Sequence, residues 1–214
     1  DGDRYRAEWR DVADQHALII VVPTFGRADF PTTGSYNLGN IVDTEGRRNP
    51  RAQWSFSAIE PLFDEIVCRV SGNQRGYALY GHSAGGQFVH RYVAFAEAPR
   101  LDMAVAANSG WYTMPGETAF PYGWGGDAAG LVSPERAFQR PLTILLGTDD
   151  TDREDPNLRR NEEADQQGLT RFARGHGFLA AARDLAGQAT PLAWRIAYAP
   201  GIGHDNGGMA AFAL

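Results

Sequence analysis

The stretch from Tyr77 to Phe95 constrains this chain more than any other. A short apolar run, Tyr77-Ala78-Leu79-Tyr80, meets Gly81-His82-Ser83-Ala84-Gly85-Gly86. Beyond it Phe88, Val89, Tyr92, Val93 and Ala96 recur at helical spacing, and Pro99 ends the segment. The pattern predicts a strand, a sharp turn with Ser83 at its apex, and a helix. A residue at such an apex has strained backbone angles, so its neighbours two positions away must lack bulk, a requirement Gly81 and Gly85 are expected to meet. The serine oxygen then stands out at the end of a sheet. Backbone N–H groups at the helix start, Ala84 first, have no intrahelical acceptor and point at negative charge forming beside Ser83. Acyl transfer needs this geometry, but a glycine-rich turn without chemistry has the same outline, so other segments must supply the remaining groups.

Strands are expected where the chain is continuously apolar. Asp3 to His16 carries Tyr5, Trp9, Val12 and Ala13 at helical spacing, and Leu18-Ile19-Ile20-Val21-Val22-Pro23 follows as a strand buried on both faces. Residues 24 to 53 form a long connection, a length usually tied to function or mobility. A helix begins near Ser57, with Glu60 placed for a capping box and Pro61 close to its start. Its pattern, Phe56, Ile59, Phe63, Ile66, Val67 and Val70, places Cys68 in helix packing. Met103 to Ala107 and Leu142 to Gly147 are further strands, with a helix between Thr170 and Ala186. Leu192 to Tyr198 alternates like a half-exposed strand near a sheet edge. Strands alternating with helices indicate a mostly parallel sheet with helices on both faces, an α/β class, in a single domain spanning 1–214. The Gly, Pro and aromatic stretch near 111–133 is expected to be a loop insertion over the site.

Composition removes several function classes. With 214 residues, 43% hydrophobic and 21% charged, the chain can bury a sizeable core, and no window approaches a membrane span. A formal charge of −6 and a pI near 5.3 argue against nucleic acid or an anionic membrane as partner. The single cysteine excludes an internal disulfide and a cysteine-based metal site. All 20 basic residues are arginine, which suggests a GC-rich bacterial genome. Compartment and oligomeric state stay open.

A serine at neutral pH needs a base, and the base needs an acid to fix its tautomer. Of the five histidines, His204 alone occupies a glycine-rich loop directly after a strand, in Pro200-Gly201-Ile202-Gly203-His204-Asp205-Asn206-Gly207. Asp149, Asp150 and Asp152 all follow Gly147 at another strand end, and any of them could be the acid. This acidic segment lacks the Asp-x-Asp-x-Asp-Gly spacing of a calcium loop, so no metal site is expected. The aromatics Tyr36, Trp111, Tyr112, Phe120, Tyr122 and Trp124 follow strand ends, as a substrate-pocket wall or as a satellite core beneath long loops.

The order Ser83, Asp150, His204 is that of the α/β-hydrolase fold. The chain resembles the poly(3-hydroxybutyrate) depolymerase-like branch of serine esterases. The resemblance rests on Gly81-His82-Ser83-Ala84-Gly85-Gly86, Asn108-Ser109-Gly110-Trp111-Tyr112, Gly147-Thr148-Asp149-Asp150 and Gly203-His204-Asp205-Asn206. It implies Ser83 as nucleophile, His204 as base, and Asp150, three residues past the strand-end glycine, as acid. Ala84 would hold the oxyanion, and Trp111, Tyr112, His82 and Tyr36 would touch substrate, with no cofactor required. Polyesters, oligoesters and acetyl or feruloyl esters are all within the range it implies. A serine peptidase or acyltransferase on the same triad, and a non-catalytic binding protein of this fold, are the alternatives. In the family a loop before the first helix gives a second oxyanion donor, and here the chain starts in that helix. The expectation is therefore a chain lacking the first strands of the fold, with a gap in the sheet beside Tyr77–Tyr80, and ending in the opening of a final helix.

Overall fold

The computed structural model describes residues 2–214. Its strands are β1 (Tyr77–His82), β2 (Leu101–Ala107), β3 (Met114–Ala119), β4 (Gly123–Gly125), β5 (Leu142–Gly147) and β6 (Trp194–Ala199). Its helices are α1 (Gly2–Glu8), α2 (Arg10–His16), α3 (Ile59–Arg69), α4 (Ala84–Phe95), α5 (Pro134–Gln139), α6 (Glu162–Gln167), α7 (Arg171–Ala186) and α8 (Asn206–Ala210). β1, β2, β5 and β6 lie side by side in that order, all parallel.

Alternate side chains of this sheet enter two cores. Ala104 and Ala106 of β2 and Ile144 and Leu146 of β5 join Phe88, Tyr92, Phe138 and Phe178 of α4, α5 and α7. Val105, Ala107 and Leu145 face the other way, toward Trp9, Met209 and Ala210. Burial on both faces is why these strands read as unbroken apolar runs. β6 is an edge strand with Tyr198 48% exposed, in keeping with its alternating sequence. Because the strands are parallel, all four end at one rim, where β1 leads into Ser83, β2 into Asn108, β5 into Asp150 and β6 into His204.

Long loops cover that rim. Within 111–133, β3 and β4 form a separate two-stranded sheet. Phe120 packs edge-on to Phe95, and Trp124 against Phe138 and Trp194. The 24–53 connection is irregular apart from a Val42–Arg48 bridge and a 3₁₀ turn at Arg51–Gln53, and Arg48 ties it to the carbonyls of Asp127 and Ala129. Guanidinium groups recur as holders of carbonyls. Arg140 donates to Val93, Ala96 and Glu97 at the C-terminal end of α4, and Arg174 to Gly110, Arg159 and Gly168.

Four expectations are corrected. Leu18–Pro23 forms no strand: it lacks ladder partners, Ile19 is 60% exposed, and Ile20 alone of the run packs, in part, against the smaller core. Among the described residues no strand pairs with the free edge of β1. The first helix divides at Trp9, whose ring stands edge-on to Tyr80 at 4.6 Å. Glu60 caps no helix; its carboxylate accepts from the Tyr77 hydroxyl at 2.7 Å and from Arg100 Nε at 2.6 Å, fastening α3 to the sheet. Cys68 is exposed, because α3 buries fully only its first residue, Ile59. No helix among the described residues is long and apolar enough to cross a membrane.

Candidate active site

Ser83 sits at φ 54° and ψ −112°, in the positive-φ half of the backbone map that an L-residue enters only when its surroundings force it. Its N–H donates to the Ala107 carbonyl at 2.9 Å, pinning the turn to the end of β2. A Cβ at Gly81 would stand 2.2 Å from the Gly85 carbonyl oxygen, so this close approach requires glycine. The same requirement expected of Gly85 does not hold, since a Cβ there would meet nothing within 4 Å. The second obligatory glycine is Gly86, where a Cβ would lie 2.7 Å from the Ala107 carbonyl oxygen.

The loop after β6 brings His204 Nε2 to 3.0 Å from Ser83 Oγ. On the other side of the ring Nδ1 lies 2.8 Å from Asp150 Oδ2. A carboxylate only accepts, so Nδ1 carries the proton and Nε2 is left to accept from the serine hydroxyl. Asp150 is 3% exposed, and its second oxygen takes a hydrogen bond from Arg171 Nη1 at 3.1 Å. The same Nη1 donates to Asp155 Oδ2 at 2.7 Å, and this guanidinium holds the Asp155 carboxyl below its usual range. The Asp150 carbonyl also accepts from Phe172 N–H in the first turn of α7. The other two aspartates face elsewhere, Asp149 accepting from Thr148 Oγ1 and Asp152 from Glu154 N–H. Among the described residues no group of three or more His, Cys, Asp or Glu could hold a metal ion.

Asn108 braces the rim. Fully buried and at φ 42°, it accepts from Gly147 N–H at 2.8 Å and donates to the Gly203 carbonyl at 2.9 Å. One side chain thus joins the ends of β2 and β5 to the residue before His204. The crossing is tight, for a Cβ at Gly147 would lie 2.3 Å from the Ile202 carbonyl oxygen.

A cavity opens beside the serine, lined by Ser83, Ala84, Asn37, Gln87, Trp111 and Arg159 among others. A roomier concavity between α1, residues 19–22 and α3 contains no serine, histidine or cysteine. Ala84 is the first residue of α4, so its N–H has no helical acceptor behind it. Of the residues expected to touch substrate, Trp111 lies on the cavity wall. Tyr112 does not: it is 0% exposed, stacked on Phe178 at 4.5 Å. Tyr36 packs on Phe25 and Phe88. His82 stands 4.6 Å from the His204 ring, 9% exposed, its Nε2 without a partner; burial, then the neighbouring His204, lowers its pKa to about 4. His90, in the core, is held neutral by burial, accepting from Thr113 N–H at Nε2 and meeting the Gly86 carbonyl at Nδ1. The aromatics therefore divide: Trp111 and Tyr122 form a small cluster by the cavity, while Tyr112 and Trp124 belong to the main core.

Sequence reasoning passed over Arg171, Arg91, Arg159 and the brace made by Asn108. Asn108 directly follows a strand end, a signal that could have found it; the arginines carry none.

No family model and no curated protein matches the chain. Among solved structures it is similar to poly(aspartic acid) hydrolase-1 from Sphingomonas sp. KT-1, with a TM-score of 0.94 and 44% identity over 100% of this chain and 81% of that one. It is also similar to LpqC, a poly(3-hydroxybutyrate) depolymerase from Bordetella parapertussis, with a TM-score of 0.91 and 35% identity over 99% of this chain and 74% of that one.

Proposed function

Because the chain belongs to the α/β-hydrolase family, in its poly(3-hydroxybutyrate) depolymerase-like branch, we propose that it is a serine hydrolase of carboxylic esters acting through Ser83, His204 and Asp150. The observation that carries this reading is the continuous chain of contacts, 3.0 Å from Ser83 Oγ to His204 and 2.8 Å from His204 to Asp150. His204 Nε2 takes the hydroxyl proton as Ser83 Oγ attacks the ester carbonyl, and the Ala84 N–H meets the oxyanion. His204 then protonates the departing alkoxide. Water, deprotonated by the same nitrogen, releases the acid from Ser83. Asp150 keeps the Nδ1 proton in place and balances the imidazolium. No step needs a cofactor.

A panel of p-nitrophenyl esters of increasing acyl length, beside a polyester film and a peptide, tests the reaction class. Ser83→Ala should lower ester turnover by on the order of 10⁴ to 10⁶ without loss of fold. A phosphonate should label Ser83, and labelling of a different serine would overturn the assignment.

A second reading, amide hydrolysis on the same triad, is favoured by the 44% identity to a protein named for poly(aspartic acid), a polymer joined by amide bonds. Faster turnover of the peptide than of every ester in the panel would select it.

A further inference from the structure

Two guanidinium groups share the indole of Trp111. The Arg91 guanidinium carbon lies 4.3 Å from the ring centre and that of Arg159 lies 5.2 Å away. Arg91, on α4, is 0% exposed. It donates to Thr113 Oγ1 at 2.7 Å and to the carbonyls of Asn37 and Gln87, while its Nη2 is buried without a partner. Arg159 is exposed, and its Nε donates to the Tyr122 hydroxyl at 2.6 Å.

Neither arginine pairs with a carboxylate among the described residues. Of the acids near Arg159 in the chain, Asp155 is paired with Arg171 and Asp165 with Arg160 and Arg174, while Glu162 accepts from Gln166 and Glu163 from Asn161, neither reaching Arg159. Burial, and then repulsion from Arg159, lowers the Arg91 pKa to about 9. A buried charge without a counter-ion is costly, and a second like charge beside it costs more. The arrangement is nevertheless held firmly. Arg174 ties the Arg159 carbonyl at 2.8 Å and the Gly110 carbonyl, next to Trp111, at 2.6 Å. Arg159 and Trp111 line the same cavity as Ser83 and Ala84.

Resting on the serine-hydrolase reading, we propose that this cavity is a subsite for a carboxylate of the substrate, with Arg159 pairing with it at the rim and Arg91 adding positive charge from the buried side of Trp111. An incoming carboxylate supplies the counter-ion the two arginines lack, whereas a neutral chain leaves their repulsion in place. The substrates so selected are half-esters of short dicarboxylic acids and oligomers with pendant carboxylates.

Binding is measured separately from turnover, on the full chain with Ser83→Ala, by calorimetry with monomethyl glutarate and with neutral dimethyl glutarate. The anionic probe should bind at least about tenfold more tightly, with the margin shrinking as salt is raised. Arg159→Gln should bring the two probes within about twofold of each other, and Arg159→Lys should keep part of the difference. Arg159 is exposed, so these variants should melt at the parent temperature. In the active protein, Arg159→Gln should lower kcat/KM for mono-p-nitrophenyl glutarate at least about tenfold more than it lowers that for neutral p-nitrophenyl butyrate. Equal affinities, undetectable binding of both probes, or a preference that survives Arg159→Gln would overturn the subsite. Loss of ester turnover in the parent protein would instead count against the serine-hydrolase reading, with the binding comparison still standing.

Discussion

Asp150 is held on both oxygens and at its carbonyl, which distinguishes it from the acids on either side. If it orients His204, Asp150→Asn should lower turnover by about 10⁴, while Asp149→Asn and Asp152→Asn stay within about tenfold. Steady-state kinetics on the three variants checks this, and the reverse ranking would move the acid. Arg171→Met leaves Asp150 nearly buried without its cation, so it should destabilise the fold by roughly 3–5 kcal/mol in urea unfolding. Ser83 and His204 were legible in the sequence because each stands in a glycine-rich segment just past a strand. Asp150 was not separable from Asp149 and Asp152 by local pattern, and the spacing after Gly147 known from the resembling family selected it. The Arg171–Asp150 bond spans 21 positions and the Asn108–Gly147 bond 39, so neither leaves a periodic trace.

Among the elements, the turn joining β1 to α4 is closely packed. A methyl at Gly81 meets the backbone of Gly85, which cannot swing aside as a flexible side chain would. Gly81→Ala should therefore cost ~3 kcal/mol. Gly85 lies in open space at a helical position, so Gly85→Ala should be neutral or stabilise by about 0.5–1 kcal/mol. Urea midpoints of the two variants should move in opposite directions, and a shared destabilisation would contradict the contact geometry. β2 and β5 were legible as continuous apolar runs because both faces of each are covered. Leu18–Pro23 has the same pattern and forms no strand. Hydrophobicity records a demand for burial, whereas a strand also needs a neighbouring edge to bond with.

For the whole molecule, the buried histidines set a limit on the acid side. His82 and His90 are neutral in the fold, whereas in the unfolded chain they gain protons near pH 6.5. Below that pH the unfolded state binds more protons, so stability is complete above about 6.5 and declines as pH falls toward 4. For His82 alone the loss reaches on the order of 3 kcal/mol by pH 4. Urea unfolding between pH 8 and 4.5 should show this slope, and His82→Gln should flatten it; a level profile in the parent would contradict it. The carbonyl-holding arginines have a further consequence for covalent labelling. The chain has no lysine, so arginine-selective dicarbonyls such as phenylglyoxal meet no side-chain amine to compete with them. Arg91, Arg171 and Arg174 are each at most 1% exposed, while residues such as Arg159 are open to solvent. The reagent therefore finds a fast population and a slow one, and the slow one reacts only when the cores part, so the time course of labelling is itself a clock for opening of the fold.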